Sequence, residues 1–124
     1  MITYSSTGDL KFEIYWIVDW QVEALNETVR AEIAALPEDM QARLIRLTQR
    51  IRQIGLETLR EPHVKHLKEK LWEMRLTGQN GIGRALYVTA LGRRVVIVRV
   101  FIKKTQKTPH AEINLALQRA KEIL

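Results

Sequence analysis

The stretch VVIVRVFIKKTQKTPH, residues 95–110, changes character half-way along. Its first part is rich in β-branched residues and reads as a strand over Arg94 to Lys103. Its second part carries three lysines and a histidine into a helix start. Thr108 is a good N-cap residue, and Pro109 suits the first helical position. The helix is expected to run to the chain end on a stripe of Ile113, Ala116, Leu117, Ala120 and Leu124. A strand thus hands over to a helix at a point crowded with cations. That is either a solubilised loop or the rim of an anion site.

Working outward, Leu71 to Leu76 and Arg84 to Leu91 read as two further strands. They are joined by the turn Thr77-Gly78-Gln79-Asn80-Gly81, and Gly92 marks a tight turn into the last strand. Upstream, Leu25, Val29, Ile33 and Leu36 recur at helical spacing until Pro37. A second helix opens at Glu38-Asp39, carries Met40, Leu44, Leu47, Ile51 and Ile54 on its core stripe, and closes at Gly55. The stretch around Pro62 reads as a loop, and Lys11 to Val18 as the first strand. The order β-α-α-β-β-β-α describes one α+β domain over residues 1–124. Its small, mainly antiparallel sheet carries a helical hairpin on one face, with a C-terminal helix following.

Alternation assigns the faces. Val96, Val98, Val100 and Ile102 point one way, with Trp72, Met74 and Leu76, and are expected to meet the helices. Glu73, Arg75, Arg99, Phe101 and Lys103 then lie on an open face, joined by Tyr87 and Thr89. Strict alternation sends Arg84 toward the helices, although its place at the strand start would let it reach the rim. A basic sheet with aromatics suits single-stranded RNA. Trp72, Trp16 and Trp20 are expected in the core.

Composition narrows the function classes. Among 124 residues there is no cysteine, which removes disulfides, thiolate catalysis and cysteine-bound zinc. No apolar run approaches a membrane span and no leader pattern opens the chain, so a cytoplasmic protein is expected. The net charge of +6 is unevenly spread: residues 62–124 hold thirteen Lys/Arg against four Asp/Glu. No acid stands between Glu73 and Glu112, where Arg75, Arg84, Arg93, Arg94, Arg99, Lys103, Lys104 and Lys107 all fall. Such a segment repels itself and invites a polyanion or an acidic partner.

Cutting RNA requires deprotonating a 2′-OH, neutralising the charge that builds on phosphorus and protonating the leaving oxygen. Arginine suits the second need, lysine can share it, and histidine serves as acid or base. Arg75 and Arg84 flank the turn and can approach one phosphate; Lys103, Lys104 and Lys107 sit beside the last helix start. His110 lies in that helix's first turn, and His66 could face the same groove. Arg99, Phe101 and Tyr87 complete the RNA-contacting set, while Glu73 is expected to pair with an arginine. His63 and His66 are a weak metal signal, because no carboxylate accompanies them in the loop. No cofactor motif is present.

Three elements, at this spacing, carry a resemblance. They are Leu71-Trp72-Glu73-Met74-Arg75, then Gly81-Ile82-Gly83-Arg84-Ala85-Leu86-Tyr87, then Phe101 to Pro109 with its K-K-T-Q-K-T-P run. Together they resemble the phage-derived, HigB-like branch of the RelE/ParE toxin superfamily, closely over residues 38–124 and loosely before that. The resemblance implies the toxin of a type II toxin–antitoxin pair: an mRNA endoribonuclease that acts on the ribosome without a metal or other cofactor and inhibits translation. It implies Arg75, Arg84, Lys103, Lys104 and Lys107 as functional cations. It also implies a cognate antitoxin of helix-turn-helix type, through which the complex binds operator DNA, and no membrane association. Gly83 stands where an aromatic often precedes the arginine, so Tyr87 or Phe101 would have to supply stacking. The superfamily also holds gyrase poisons, so a non-catalytic RNA- or protein-binding module and a gyrase inhibitor are the alternatives.

Overall fold

Asn26 starts the first helix: its backbone is extended, and its side-chain Oδ1 accepts from Val29 N at 3.0 Å. The computed structural model describes residues 20–103 and 106–123. The expected strand over residues 11–18, Trp16, Lys104 and Leu124 lie outside them. Upstream of the cap, Gln21–Ala24 form strand β1, and helix α1 spans Glu27–Ala34. Helix α2, Glu38–Ile54, follows Pro37. It buries Met40, Leu44, Leu47 and Ile51 as its spacing dictates, but leaves Ile54, its last residue, exposed. A single 3₁₀ turn, Leu56–Thr58, leads to β2 (Val64–Lys68), β3 (Leu71–Gly78), β4 (Gly81–Ala90), β5 (Arg94–Lys103) and helix α3 (His110–Ala120).

The strands form one sheet in the order β1-β5-β4-β3-β2, antiparallel except where β1 runs parallel to β5. The loop expected around Pro62 therefore continues into a strand. β2 is an edge strand with three lysines or histidines among five residues, and such polar edges resist further pairing. That polarity hid the strand from hydrophobic pattern. Asp39 in the first turn of α2 accepts from Gln79 N at 2.6 Å, which fixes the β3–β4 turn against the hairpin.

Helices cover both faces of the sheet, and here the expectation of one open face fails. Met74, Leu76, Ala85, Tyr87, Val95, Ile97 and Val100 pack under α1 and α2. Leu71, Leu86, Val88, Val96 and Val98 pack under Ile113, Ala116 and Ala120 of α3. β5 is consequently buried on both sides in its centre, which explains its unbroken apolar run. The even-numbered valines do not share one face. The register shifts between Leu86 and Tyr87, whose partners are Arg99 and Ile97, so Val98 is the extra residue of a bulge. Val96 and Val98 accordingly face α3, whereas Val100 faces the hairpin.

A carboxylate laces the remaining edge of β5. Glu32 of α1 accepts from Val100 N at 3.0 Å, from Arg99 Nη1 at 2.8 Å and from Arg119 Nη1. Glu112 takes the other side of Arg99 at 2.6 and 3.1 Å. Hydrogen bonding to Glu112, aided by Glu32, raises the Arg99 guanidinium above its ordinary range. No described helix is long and apolar enough to cross a membrane.

Candidate functional site

A cleft of about 420 Å³ opens where α3 begins and the β3–β4 end of the sheet emerges from under it. Its lining draws on β2 (Lys65, His66), β3 (Glu73, Arg75), β4 (Arg84), the segment after β5 (Gln106, Lys107, Thr108) and α3 (His110, Ile113), with Glu61 at the rim. Arg75 and Arg84 are direct register partners on one face of the sheet, so a cross-strand pair puts two guanidinium groups side by side. Like charges in that relation repel, and the surroundings separate their roles.

Arg84 is 1% exposed and donates through Nη1 to Glu73 Oε2 at 2.6 Å. Its Nη2 donates to the Gln106 carbonyl at 3.1 Å. Glu73, equally buried, also accepts a hydrogen bond from the Thr108 hydroxyl. A buried ion pair withstands desolvation better when further hydrogen bonds hold its members, and here each member has one. Arg75 differs: among the described residues it forms no ion pair, and its Nη2 donates to the neutral Gln106 Oε1 at 3.1 Å. The charge of Arg84 is thus answered internally, while that of Arg75 is left for whatever enters the cleft.

Gln106 holds both arginines, one through its backbone and one through its side chain. Sequence reasoning quoted it within K-K-T-Q-K-T-P but gave it no role. Lys65 and Thr108 were likewise missed as lining residues. Thr108 does not cap α3, because its hydroxyl is engaged by Glu73 and Pro109 occupies the cap position without a side-chain bond. Glu73 pairs with an arginine as expected. At the rim, His66 Nε2 lies 2.7 Å from the Glu69 carbonyl. A carbonyl only accepts, so Nε2 donates, and in the neutral ring Nδ1 is the acceptor. His110, the first residue of α3, is exposed.

The other candidates are placed differently. Lys103 is paired with Ile82, one step beyond the Arg84–Phe101 pair on the same face, and does not line the cleft. Tyr87 is 2% exposed in the hairpin-side core, where burial pushes its phenol well above the usual range; no ring is offered to solvent there. Tyr87 is the register partner of Trp72 and follows Ala85 on the face that the hairpin covers, which accounts for this. Arg99 is committed to Glu32 and Glu112, and its guanidinium lies 5.6 Å over the Phe101 ring, so neither presents an unoccupied surface. Gly83 faces the hairpin, where an added Cβ would lie 3.1 Å from Met40 Sδ; an aromatic at this position would point away from the cleft. Trp72, expected in the core, is exposed at the sheet margin.

The family model describing phage-derived Gp49-like proteins (DUF891) matches residues 31–121, which include α2, all the antiparallel strands and every residue lining the cleft. The chain belongs to the phage-derived Gp49-like family. This family is associated with the toxins of toxin–antitoxin systems. No curated protein matches the chain at a significant level.

Proposed function

We propose that this Gp49-like protein is the toxin of a type II toxin–antitoxin pair and that the cleft cleaves mRNA, on the ribosome, by attack of a 2′-OH on the adjacent phosphorus. The observation that carries the reading is the uncompensated Arg75 guanidinium in a cleft whose other cations, Lys65 and Lys107, arrive from separate elements. Arg75 meets the phosphate oxygens as charge builds on them, where a preorganised donor acts most strongly. Lys107 and Lys65 hold the neighbouring backbone. Arg84 is a positioning residue that fixes Gln106 and, through it, Arg75.

Protons pass between the substrate and the two rim imidazoles, His110 and Nδ1 of His66. One accepts the 2′-hydroxyl proton as the new O–P bond forms, and the other supplies a proton to the departing 5′-oxygen. The products are a cyclic 2′,3′-phosphate and a free 5′-hydroxyl. The cognate antitoxin, a helix-turn-helix protein in this reading, covers the cleft and carries the pair to operator DNA.

Neutralisation of Arg84 by Glu73 favours a second reading, a basic module that binds RNA without cutting it. Purified protein added to ribosomes programmed with a defined message separates the two. Cuts at defined codons, lost in Arg75→Ala, support the nuclease. Binding without cuts sinks it in favour of the module.

A further inference from the structure

We infer that Trp72 is the stacking platform for a base of the single-stranded RNA whose backbone passes round edge strand β2 into the cleft. The inference rests on the reading of the cleft as an RNA site and adds a subsite to it. Sequence pattern offered Tyr87 and Phe101 as stacking groups, but Tyr87 is buried and Phe101 lies under Arg99. Trp72 is 39% exposed. It lies in a shallow depression with His66, Glu69, Lys70 and Thr89.

Its ring is braced. His66 meets it edge to face, with centroids 5.2 Å apart and planes at 62°, and His66 is itself fixed by its bond to the Glu69 carbonyl. His66 also lines the cleft, so one imidazole forms the wall between the two depressions. Trp72 lies three residues along β3 from Arg75, about 10 Å at the rise of a strand, and on the opposite face. A chain reaching both must wrap the β2 edge, where Lys65 and Lys68 are exposed and Lys70 follows in the turn; Glu69 is the one acid there. Cations alternating with an exposed ring match a polymer that alternates phosphate with base, since stacking is available to every base and lysines follow the backbone.

The test uses the full chain and a fluorescein-labelled single-stranded RNA of about ten nucleotides, within the range such sites cover. Affinity is read by anisotropy at several salt concentrations. Trp72→Ala is expected to weaken binding by roughly fivefold to a hundredfold with no change in the salt slope, and Trp72→Phe to lose far less. Lys68→Ala is expected to flatten the slope by about 0.7, the signature of one lost phosphate contact. Unchanged affinity in Trp72→Ala overturns the proposal, as does failure of the wild-type chain to bind. Equal losses in the Ala and Phe variants with a lowered melting point overturn it as well, since Trp72 would then only support the fold. Retained RNA affinity with loss of the cognate antitoxin reassigns the ring to a protein contact and overturns it too. Absence of cleavage on programmed ribosomes, with Trp72-dependent binding intact, sinks the nuclease reading and leaves this subsite standing.

Discussion

Glu73 and Arg84 face each other at 2.6 Å across the β3–β4 pair, and each side chain is 1% exposed. An ion pair this deep is held by geometry on both sides. Thr108 and Gln106, both from the segment that follows β5, supply the additional hydrogen bonds. The pair therefore ties the segment after β5 to strands β3 and β4.

Removing one member strands the other. Arg84→Ala is expected to destabilise the fold by about 3–5 kcal/mol, because the Glu73 carboxylate would remain buried without its cation. Replacing both, as Glu73→Leu with Arg84→Met, should cost far less. Urea unfolding of the three proteins checks this. Loss of toxicity in Arg84→Ala alone would then report lost structure as much as lost chemistry.

Arg75 is the informative substitution. It forms no ion pair among the described residues, so Arg75→Ala should leave stability within about 1 kcal/mol of wild type. Cleavage should fall by about a hundredfold or more, the usual effect of losing one preorganised donor. Arg75→Lys should recover only part of it, since a point charge replaces a planar fork. Single-turnover cleavage beside urea unfolding tests the split. Wild-type cleavage by Arg75→Ala would contradict the assignment.

Gly83 tests the packing beneath the cleft. A methyl group there would meet Met40 Sδ at 3.1 Å, Leu76 Cβ at 3.3 Å and Leu36 Cδ2 at 3.4 Å. Gly83→Ala is expected to cost about 1–3 kcal/mol through overpacking. Pairing it with Met40→Ala, which vacates the nearest contact, should give less than the sum of the two single losses. Thermal unfolding of the single and double variants provides the measurement.

The Glu23–Arg94 pair joins β1 to β5 on the surface, with Arg94 donating to the carboxylate at 2.9 and 3.1 Å. Hydrogen bonding to Arg94 holds the Glu23 carboxyl below its ordinary value. A carboxyl depressed in the folded state stabilises above its unfolded pKa, near 4.3, and that gain is lost as pH falls through the lower folded value. The pair is well exposed, so it is worth little and is screened by salt. Comparing Glu23→Gln with wild type at pH 7 and at pH 3 should show a difference at the higher pH that shrinks at the lower.

Much of this fold was legible from periodicity. The buried residues of α2 step as its spacing requires, and three of the four antiparallel strands stand within two or three residues of their expected bounds. What pattern could not reveal was cover. Four consecutive buried residues in β5, Val95 to Val98, reflect helices on both sides, and a bulge turned the valine stripe over. Edge strand β2 was invisible because exposed edges favour lysine. At the site, Arg75, Arg84, Lys107, His66 and His110 do share a cleft, but charge alone could not tell a neutralised arginine from an available one. That distinction depends on Glu73 and Gln106, contacts formed across long stretches of chain.

The parallel pairing of β1 with β5 has a further consequence, in time. Gln21 cannot find Arg94 until the more than seventy residues between them have been synthesised, and the cleft waits on Thr108 and His110, which come later still. A nascent chain therefore has no assembled cleft until the segment after β5 and the start of α3 have left the ribosome.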